Sequence, residues 1–274
     1  MQAADYHSDL LAWTTSVLRE WGVKPRKNLS QNFVVDPDLV SEVAGYVAGE
    51  KEVLEIGCGI GTLTRRLVEV AERVVCVEID WALAKITRST VVNRRLIVIV
   101  GDARRIPLTY GAVVSNLPYH IVSELIVHLA RSNHVKKAVL TVQKEVADRL
   151  LSAPGTREYG RITILVNSLF KVTPGGVYPP SSFYPRSKVF NQVIVLERRR
   201  DYGPDTALIE KLTRAMFNQR RRIAYRVAQR ALGLSEEETR LVKELLGDRR
   251  VYELSYEDFA KLAELVGERL REEP

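Results

Sequence analysis

Only two cysteines, Cys58 and Cys76, occur in the 274 residues. Two are too few for a disulfide framework or a zinc site, so a reduced, intracellular setting without a metal is expected. No apolar run approaches the ~18 residues that a membrane span needs. The N-terminus lacks a basic region followed by an apolar core and a small-residue cleavage site. The chain therefore reads as cytoplasmic and unprocessed, with no membrane partner. Asn and Gln are scarce beside Arg, Glu and Val, a composition found in heat-adapted proteins. Internal repeats and low-complexity tracts are absent too, which speaks against a repeat architecture.

What is present fits a folded globular protein, with 46% hydrophobic and 27% charged residues. The length exceeds the usual single domain, so one larger domain and a smaller one are expected. Lys and Arg number 41 against 34 Asp and Glu, a net charge of +7. That balance suits a polyanionic partner, although many proteins are mildly basic without one.

Leu10, Leu11, Trp13, Val17, Leu18 and Trp21 fall at helical spacing within residues 5–21, which end at Gly22. A basic, non-periodic stretch, residues 24–33, follows. Asp36 as N-cap and Pro37 in the first turn then open a helix that Gly49 closes. Strands at 53–56, 74–79, 96–100, 112–114 and 138–142 alternate with helices at 63–70, 81–89 and 120–130. Such alternation gives βαβ units and a parallel sheet with helices on both faces. An apolar segment at 162–170, a Pro-rich loop at 174–185 and a strand-like run at 192–197 complete this part. The composition shifts at 198–204, and three helices follow without strands, at 206–232, 236–246 and 256–270. The expected division is an α/β domain with an N-terminal helical extension over 1–200 and an all-α domain over 201–274. Arg220, Arg221 and Arg222 are consecutive, and Arg222, Arg226 and Arg230 share a face of the 206–232 helix. They are candidates for phosphate contact, with a solvated charged face as the plain alternative.

Three strand ends carry the residues with chemical meaning. Glu55-Ile56-Gly57-Cys58-Gly59-Ile60-Gly61-Thr62 follows the first strand, where glycines let the backbone approach a ligand. Thr62 stands at the last place of the dinucleotide fingerprint, which disfavours a dehydrogenase. Glu78 ends the second strand, about 20 residues after Gly57, where an acid can accept both ribose hydroxyls. Asp80, the competing carboxylate, suits the N-cap of the next helix. Asp102 ends the third strand, where an acceptor can take the amino hydrogens of an adenine. Singly, each acid is more often a cap than a ligand. Glycines, Glu and Asp at three successive strand ends together describe a nucleoside-bearing cofactor lying across the sheet edge.

The tetrapeptide Asn116-Leu117-Pro118-Tyr119 stands after the 112–114 strand. Pro118 fixes its own φ and stiffens Leu117, whose carbonyl and the Asn116 amide provide two acceptors for an exocyclic NH2. Tyr119 offers a ring for stacking a base. A strand-ending turn is the plain alternative.

In order, Gln31-Asn32-Phe33, residues 55–64, Glu78, Asp102, residues 116–119 and Ser182-Phe183-Tyr184-Pro185-Arg186-Ser187-Lys188-Val189 resemble the small-subunit ribosomal RNA adenine dimethyltransferases, the KsgA-like family. The likeness covers about residues 25–200, and residues 217–222 look like that family's Phe-x-x-Arg-Arg-Lys element. The resemblance implies a Rossmann-like class I methyltransferase that uses S-adenosylmethionine, with a helical RNA-binding C-terminal domain, and suggests an archaeal or thermophilic member. Gln31, Asn32 and Val34 would close over the cofactor, and Gly57 and Gly59 would line its methionine end. Glu78 would hold the ribose, Asp102 the adenine, and Asn116 the junction with the target. Leu117, Pro118 and Tyr119 would complete the catalytic turn, with Phe183 as a second aromatic wall. Arg220, Arg221, Arg222 and Arg226 would contact RNA. The implied substrate is a pair of adjacent adenines in a 3'-terminal hairpin of small-subunit RNA, met in a pre-small-subunit particle by a monomeric enzyme.

Cys58 replaces a usual Pro, His120 an Asn or Gln, Ser187 a Pro and Phe190 an acid. His120 invites a general-base reading that the chemistry does not require. Two rivals stay open. A large-subunit resistance methyltransferase would typically carry N-I-P-Y and a Lys in the glycine loop, where this chain has Leu117 and Ile60. A ribosome-assembly factor could use the basic helix with methylation dispensable.

Overall fold

A computed structural model describes residues 9–26, 31–117 and 121–272, with side chains as far as residue 267. The chain divides into two compact units, Met1–Ala147 with Lys171–Arg198, and Asp148–Phe170 with Arg199–Pro274.

In the first unit, helix α1 (Leu10–Glu20) begins where the Asp9 carboxylate accepts the Ala12 N–H at 2.8 Å. Its Val17 and Leu18 pack with Phe33, Ile60, Leu83 and Ile86. Strand β1 (Phe33–Val34) is followed by α2 (Pro37–Gly45), whose first turn is capped by Asp36 accepting from Asp38 and Leu39 N–H. Helix α2 ends at Gly45, four residues before the expected stop at Gly49, and continues as a turn.

The βα alternation then follows. Strands β2 (Val53–Ile56), β3 (Val74–Glu78), β4 (Leu96–Val100), β5 (Ala112–Asn116) and β6 (Lys137–Gln143) pair in parallel. Helices α3 (Thr62–Val70), α4 (Trp81–Thr90), α5 (Val122–Arg131) and α6 (Lys144–Leu151) lie between and after them. Strands β2 and β3 are buried at every residue, as unbroken apolar runs in covered parallel sheets should be. Their Val and Leu side chains contribute roughly 1.5–3 kcal/mol each on full burial.

Two further strands make the sheet mixed. Strand β9 (Asn191–Arg198) runs antiparallel to β6 along seven residue pairs, 137 with 197 through 143 with 191. Strand β7 (Phe170–Tyr178) lies beyond β9, giving the order β4-β3-β2-β5-β6-β9-β7. Part of β7 falls in the stretch expected to be a Pro-rich loop. Pro174, Gly175 and Gly176 mask the strand in the sequence, and an edge position tolerates them. The short β8 (Phe183–Tyr184) pairs antiparallel with β1, Phe33 opposite Tyr184 and Val34 opposite Phe183. Winding reverses between β2 and β5, and the crevice at the carboxyl ends of those strands is where such sheets place ligands.

The cysteines correct one expectation. Cys58 and Cys76 form a disulfide, with their Cα atoms 6.0 Å apart. The parallel register sets Cys76 beside Glu55, and the glycine loop folds Cys58 back over it, where both are buried with Ala84 and Val98. A disulfide does not exclude an intracellular setting, because intracellular proteins of hyperthermophiles are often rich in them.

In the second unit, α7 (Arg161–Leu169), α8 (Pro204–Met216), α9 (Ala224–Leu232), α10 (Glu236–Leu246) and α11 (Tyr256–Glu272) surround a core that includes Leu212, Met216, Val242, Phe259 and Leu262. Tyr159 and Ile164 are buried in that core, so Asp148–Phe170 belongs here by packing, although a linear division at residue 200 leaves it with the larger part. The single helix expected over 206–232 is two. The break falls at 217–223, where Phe217 sits 6.4 Å from the Tyr159 ring and 6.1 Å from Phe259, and Ile223 pairs with Arg250. Tertiary packing overrides helical periodicity there, and Arg222 lies before α9 instead of on its face.

Candidate active site

A cavity opens at the carboxyl ends of β2, β3 and β5 under the Gln31 to Val34 segment. One wall is the glycine loop. Gly57 and Gly59 have φ of 78° and 58°, in the left-handed region that glycine adopts without strain. A Cβ on Gly59 would meet the Phe33 ring at 3.0 Å, so the close approach of loop and ring requires glycine.

Glu78, at the end of β3, is buried, and its two oxygens are held separately. The Gly59 N–H donates to Oε2 at 2.9 Å and the Asp80 N–H to Oε1 at 3.0 Å. Burial raises its pKa, and these backbone bonds oppose the shift. Glu55 forms the floor beside it. Burial pushes the Glu55 carboxyl up to about 8, with the Thr64 hydroxyl donating to it at 2.6 Å in opposition. Glu55 heads the glycine motif, and an acid within an otherwise apolar strand was the signal for its place in the site.

Gln31 lines the cavity, but its amide is engaged elsewhere. Oε1 accepts the Arg26 N–H at 2.8 Å, and Nε2 donates to Asp80 Oδ2 at 3.1 Å. Asp80 also caps α4 through the Ala82 N–H, as expected, so its second oxygen latches the N-terminal segment to the end of β3. Asn32, Phe33 and Val34 line the same cavity.

Asp102 lines the cavity together with a residue the motifs did not single out, Arg104. The Arg104 Nη2 donates to Asp102 Oδ2 at 2.6 Å, Nε reaches both Asp102 oxygens, and Nη1 reaches Glu124 at 3.1 Å. Hydrogen bonding from Arg104 holds the Asp102 carboxyl below its ordinary range. An Arg two residues after a strand-end Asp, where its N–H also closes a turn on Oδ1, was the available signal.

Asn116 ends β5 and lines the cavity. Its Nδ2 donates to the Asn32 carbonyl at 2.9 Å, which fixes the amide and leaves Oδ1 as an acceptor. Leu117 is buried, with its N–H bonded to the Thr141 carbonyl at 3.1 Å. Pro118, Tyr119 and His120 lie outside the described residues. Phe183 is 3% exposed within the main core cluster and is not among the residues lining the cavity.

Of the arginines proposed for RNA, Arg220 is half-buried, donates to the Thr156 and Arg157 carbonyls and covers the Tyr252 ring. Arg221 and Arg222 are exposed, and Arg226 is exposed with its Nε on the Tyr225 hydroxyl at 3.0 Å. No group of three or more His, Cys, Asp or Glu side chains positioned to hold a metal occurs among the described residues.

Residues 22–268 match the profile described as ribosomal RNA adenine dimethylase. The chain is 35% identical over 269 residues to a probable ribosomal RNA small subunit methyltransferase A of Methanothermobacter thermautotrophicus, covering 94% of this chain and 97% of that protein. The corresponding methyltransferase of Clostridium acetobutylicum is 32% identical over 275 residues, 92% and 98% of the two chains. Among solved structures, a dimethyladenosine transferase from Plasmodium falciparum superposes with a TM-score of 0.76 at 25% identity, covering 86% of this chain and 98% of that one. The 23S rRNA methyltransferase ErmE shares the fold at a TM-score of 0.68 and 23% identity, over 86% of this chain and 99% of that one.

Proposed function

The chain belongs to the ribosomal RNA adenine dimethylase family, and from that premise we propose how its cavity serves the family's reaction. The enzyme dimethylates the exocyclic amines of adenines in small-subunit ribosomal RNA, with S-adenosylmethionine as cofactor. The residues fit that cofactor: Gly57 and Gly59 bring bare backbone to the cavity wall in the left-handed region, and Glu78 and Asp102 stand as acceptors at successive strand ends. When bound, S-adenosylmethionine supplies an electrophilic methyl group on a sulfonium. Glu78 would accept from its ribose hydroxyls, and Asp102, steadied by Arg104, would take its adenine.

The observation that carries the reading is the fixed Asn116 amide. With Nδ2 committed to the Asn32 carbonyl, Oδ1 accepts one hydrogen of the target amine. The Leu117 carbonyl is assigned the second hydrogen. An adenine amine is a weak nucleophile because its lone pair is delocalised into the ring. Two acceptors draw the nitrogen towards a tetrahedral form and hold it in line with the methyl, so positioning and oriented dipoles supply the acceleration. Once transfer has made the nitrogen cationic, its proton passes to water, so no general base is required. Tyr119 is assigned the stacking face for the base. Phe183, opposite Val34 in the β1–β8 pair and buried in the core, is given no stacking role. The enzyme is further read as a monomer acting in the cytoplasm on pre-small-subunit particles, at adjacent adenines of a 3'-terminal hairpin.

Incubation with labelled S-adenosylmethionine and unmethylated small subunits, followed by mapping of the modified base, tests this reading. Dimethyladenosine in small-subunit RNA is the expected result. Methylation confined to large-subunit RNA would overturn it.

A further inference from the structure

The helical unit contains a second cavity of about 420 Å³, bounded by the end of α7, the Arg199-Arg200 pair and the start of α11. Both arginines direct their backbone N–H to the Leu169 carbonyl, at 2.8 and 3.2 Å, which fixes the pair against the last turn of α7. Their side chains then differ. Arg200 donates from Nη1 to the Tyr256 hydroxyl at 2.7 Å, and its guanidinium carbon lies 5.5 Å from the centroid of that ring. The Arg199 guanidinium is exposed and makes no hydrogen bond, ion pair or ring contact among the described residues.

This contrasts with the arginines that build the unit. Arg249 is bidentate to Asp258 at 2.7 and 2.8 Å, and Arg220 closes on two backbone carbonyls. An arginine with a folding role is paired, and Arg199 is not. The rest of the cavity explains what it lacks. Asn167 spends its amide hydrogens on the Leu150 and Thr163 carbonyls, and the Ser168 hydroxyl donates to the Leu165 carbonyl. The main uncommitted donor is therefore Arg199, at the N-terminal and electropositive end of the 17-residue α11. Glu257 is the one carboxylate lining the cavity, against two guanidinium groups.

We propose that this cavity binds a backbone phosphate of the substrate RNA, with Arg199 as the phosphate ligand. The stacked Arg200–Tyr256 pair forms a platform beside it for a neighbouring base. The planar guanidinium fork matches phosphate oxygens. An open phosphate ligand next to a stacking surface suits a polynucleotide better than a small anion, which has no use for the aromatic face. The proposal rests on the reading that the substrate is RNA.

The test is binding of unmethylated small-subunit RNA by the full chain across a salt series, beginning with the wild type. In Arg199→Ala, affinity should fall about tenfold, the size of one charge-assisted contact. The slope of log affinity against log salt should become shallower by about 1. Melting temperature and S-adenosylmethionine affinity should stay as in the wild type, because the side chain is exposed and unpaired. Glu257→Gln removes a repulsive carboxylate and should act in the opposite sense, tightening RNA. Unchanged affinity and slope in Arg199→Ala would overturn the proposal. So would loss of inorganic phosphate binding in that variant with RNA affinity intact, which would mark a small-anion site. A wild type that neither binds nor methylates small-subunit RNA would overturn the underlying reading and this inference with it.

Discussion

The two units put charged and polar side chains to opposite uses. In the sheet unit, the groups assigned to chemistry are immobilised by other groups of the same site. The Asn32 carbonyl holds Asn116, the Gly59 and Asp80 N–H groups hold Glu78, and Arg104 holds Asp102. In the helical unit, arginines of identical type divide between building the fold and facing solvent. Arg220 and Arg249 are tied into the packing, whereas Arg199, Arg221 and Arg222 are exposed. A strand end dictates where a side chain must point, whereas a helical surface leaves that to tertiary context.

Substitutions can break that contrast. Asn116 aside, the largest effect on ligand binding is expected at Glu78. Glu78→Gln exchanges a charged acceptor for a neutral amide and should weaken S-adenosylmethionine binding by about tenfold or more, a hydrogen bond to a charged group contributing ~1.5–3 kcal/mol. RNA affinity should not change; calorimetric titration of cofactor beside RNA binding reads both. The largest effect on stability is expected from the disulfide, which joins residues 18 apart in sequence. Replacing Cys58 and Cys76 with Ser should lower the stability of the sheet unit by about 2–4 kcal/mol, measured by denaturation with and without reductant. If reductant leaves the wild type unchanged, the crosslink is not supporting this unit.

Arg220→Ala should cost the helical unit about 1–2 kcal/mol through lost carbonyl bonds and ring contact. Arg221→Ala should stay within about 0.5 kcal/mol of wild type in stability, yet weaken RNA in a salt-dependent way. Equal stability of the two variants would erase the distinction between building and binding arginines. A last effect, in the pH dependence of stability, is expected from Glu55. Its folded pKa, about 8, lies above the ordinary carboxyl value. Its favourable contribution is therefore complete below that ordinary value and is lost as pH rises towards 8. Glu55→Gln should flatten this part of the stability profile, so the variant gains on the wild type from acid to mildly alkaline pH. Parallel profiles would contradict the shift.

The same contrast explains what was legible in the sequence. The glycine loop, Glu78, Asp102 and Asn116 could be placed because alternating strands and helices fix them at the carboxyl edge of a sheet. Arg104 escaped because its role depends on a side-chain pair with Asp102 and Glu124 that no periodicity announces. Gln31 lines the cavity, while the latch of its amide to Asp80 depends on a side-chain contact that no motif announces. Strand β7 was hidden by Pro174, Gly175 and Gly176, and the 206–232 helix was broken by Phe217 packing between Tyr159 and Phe259. The disulfide was invisible because residue counts carry no information on the β2–β3 register that brings the two cysteines together.

In the proposed mechanism Asn116 acts as a fixed acceptor in place of a base. Single-turnover methyl transfer to unmethylated small subunits by Asn116→Ala, with S-adenosylmethionine affinity measured on the same sample, tests it most directly. A rate reduced by about two to three orders of magnitude with cofactor affinity retained is the predicted result. Near-normal turnover would contradict it.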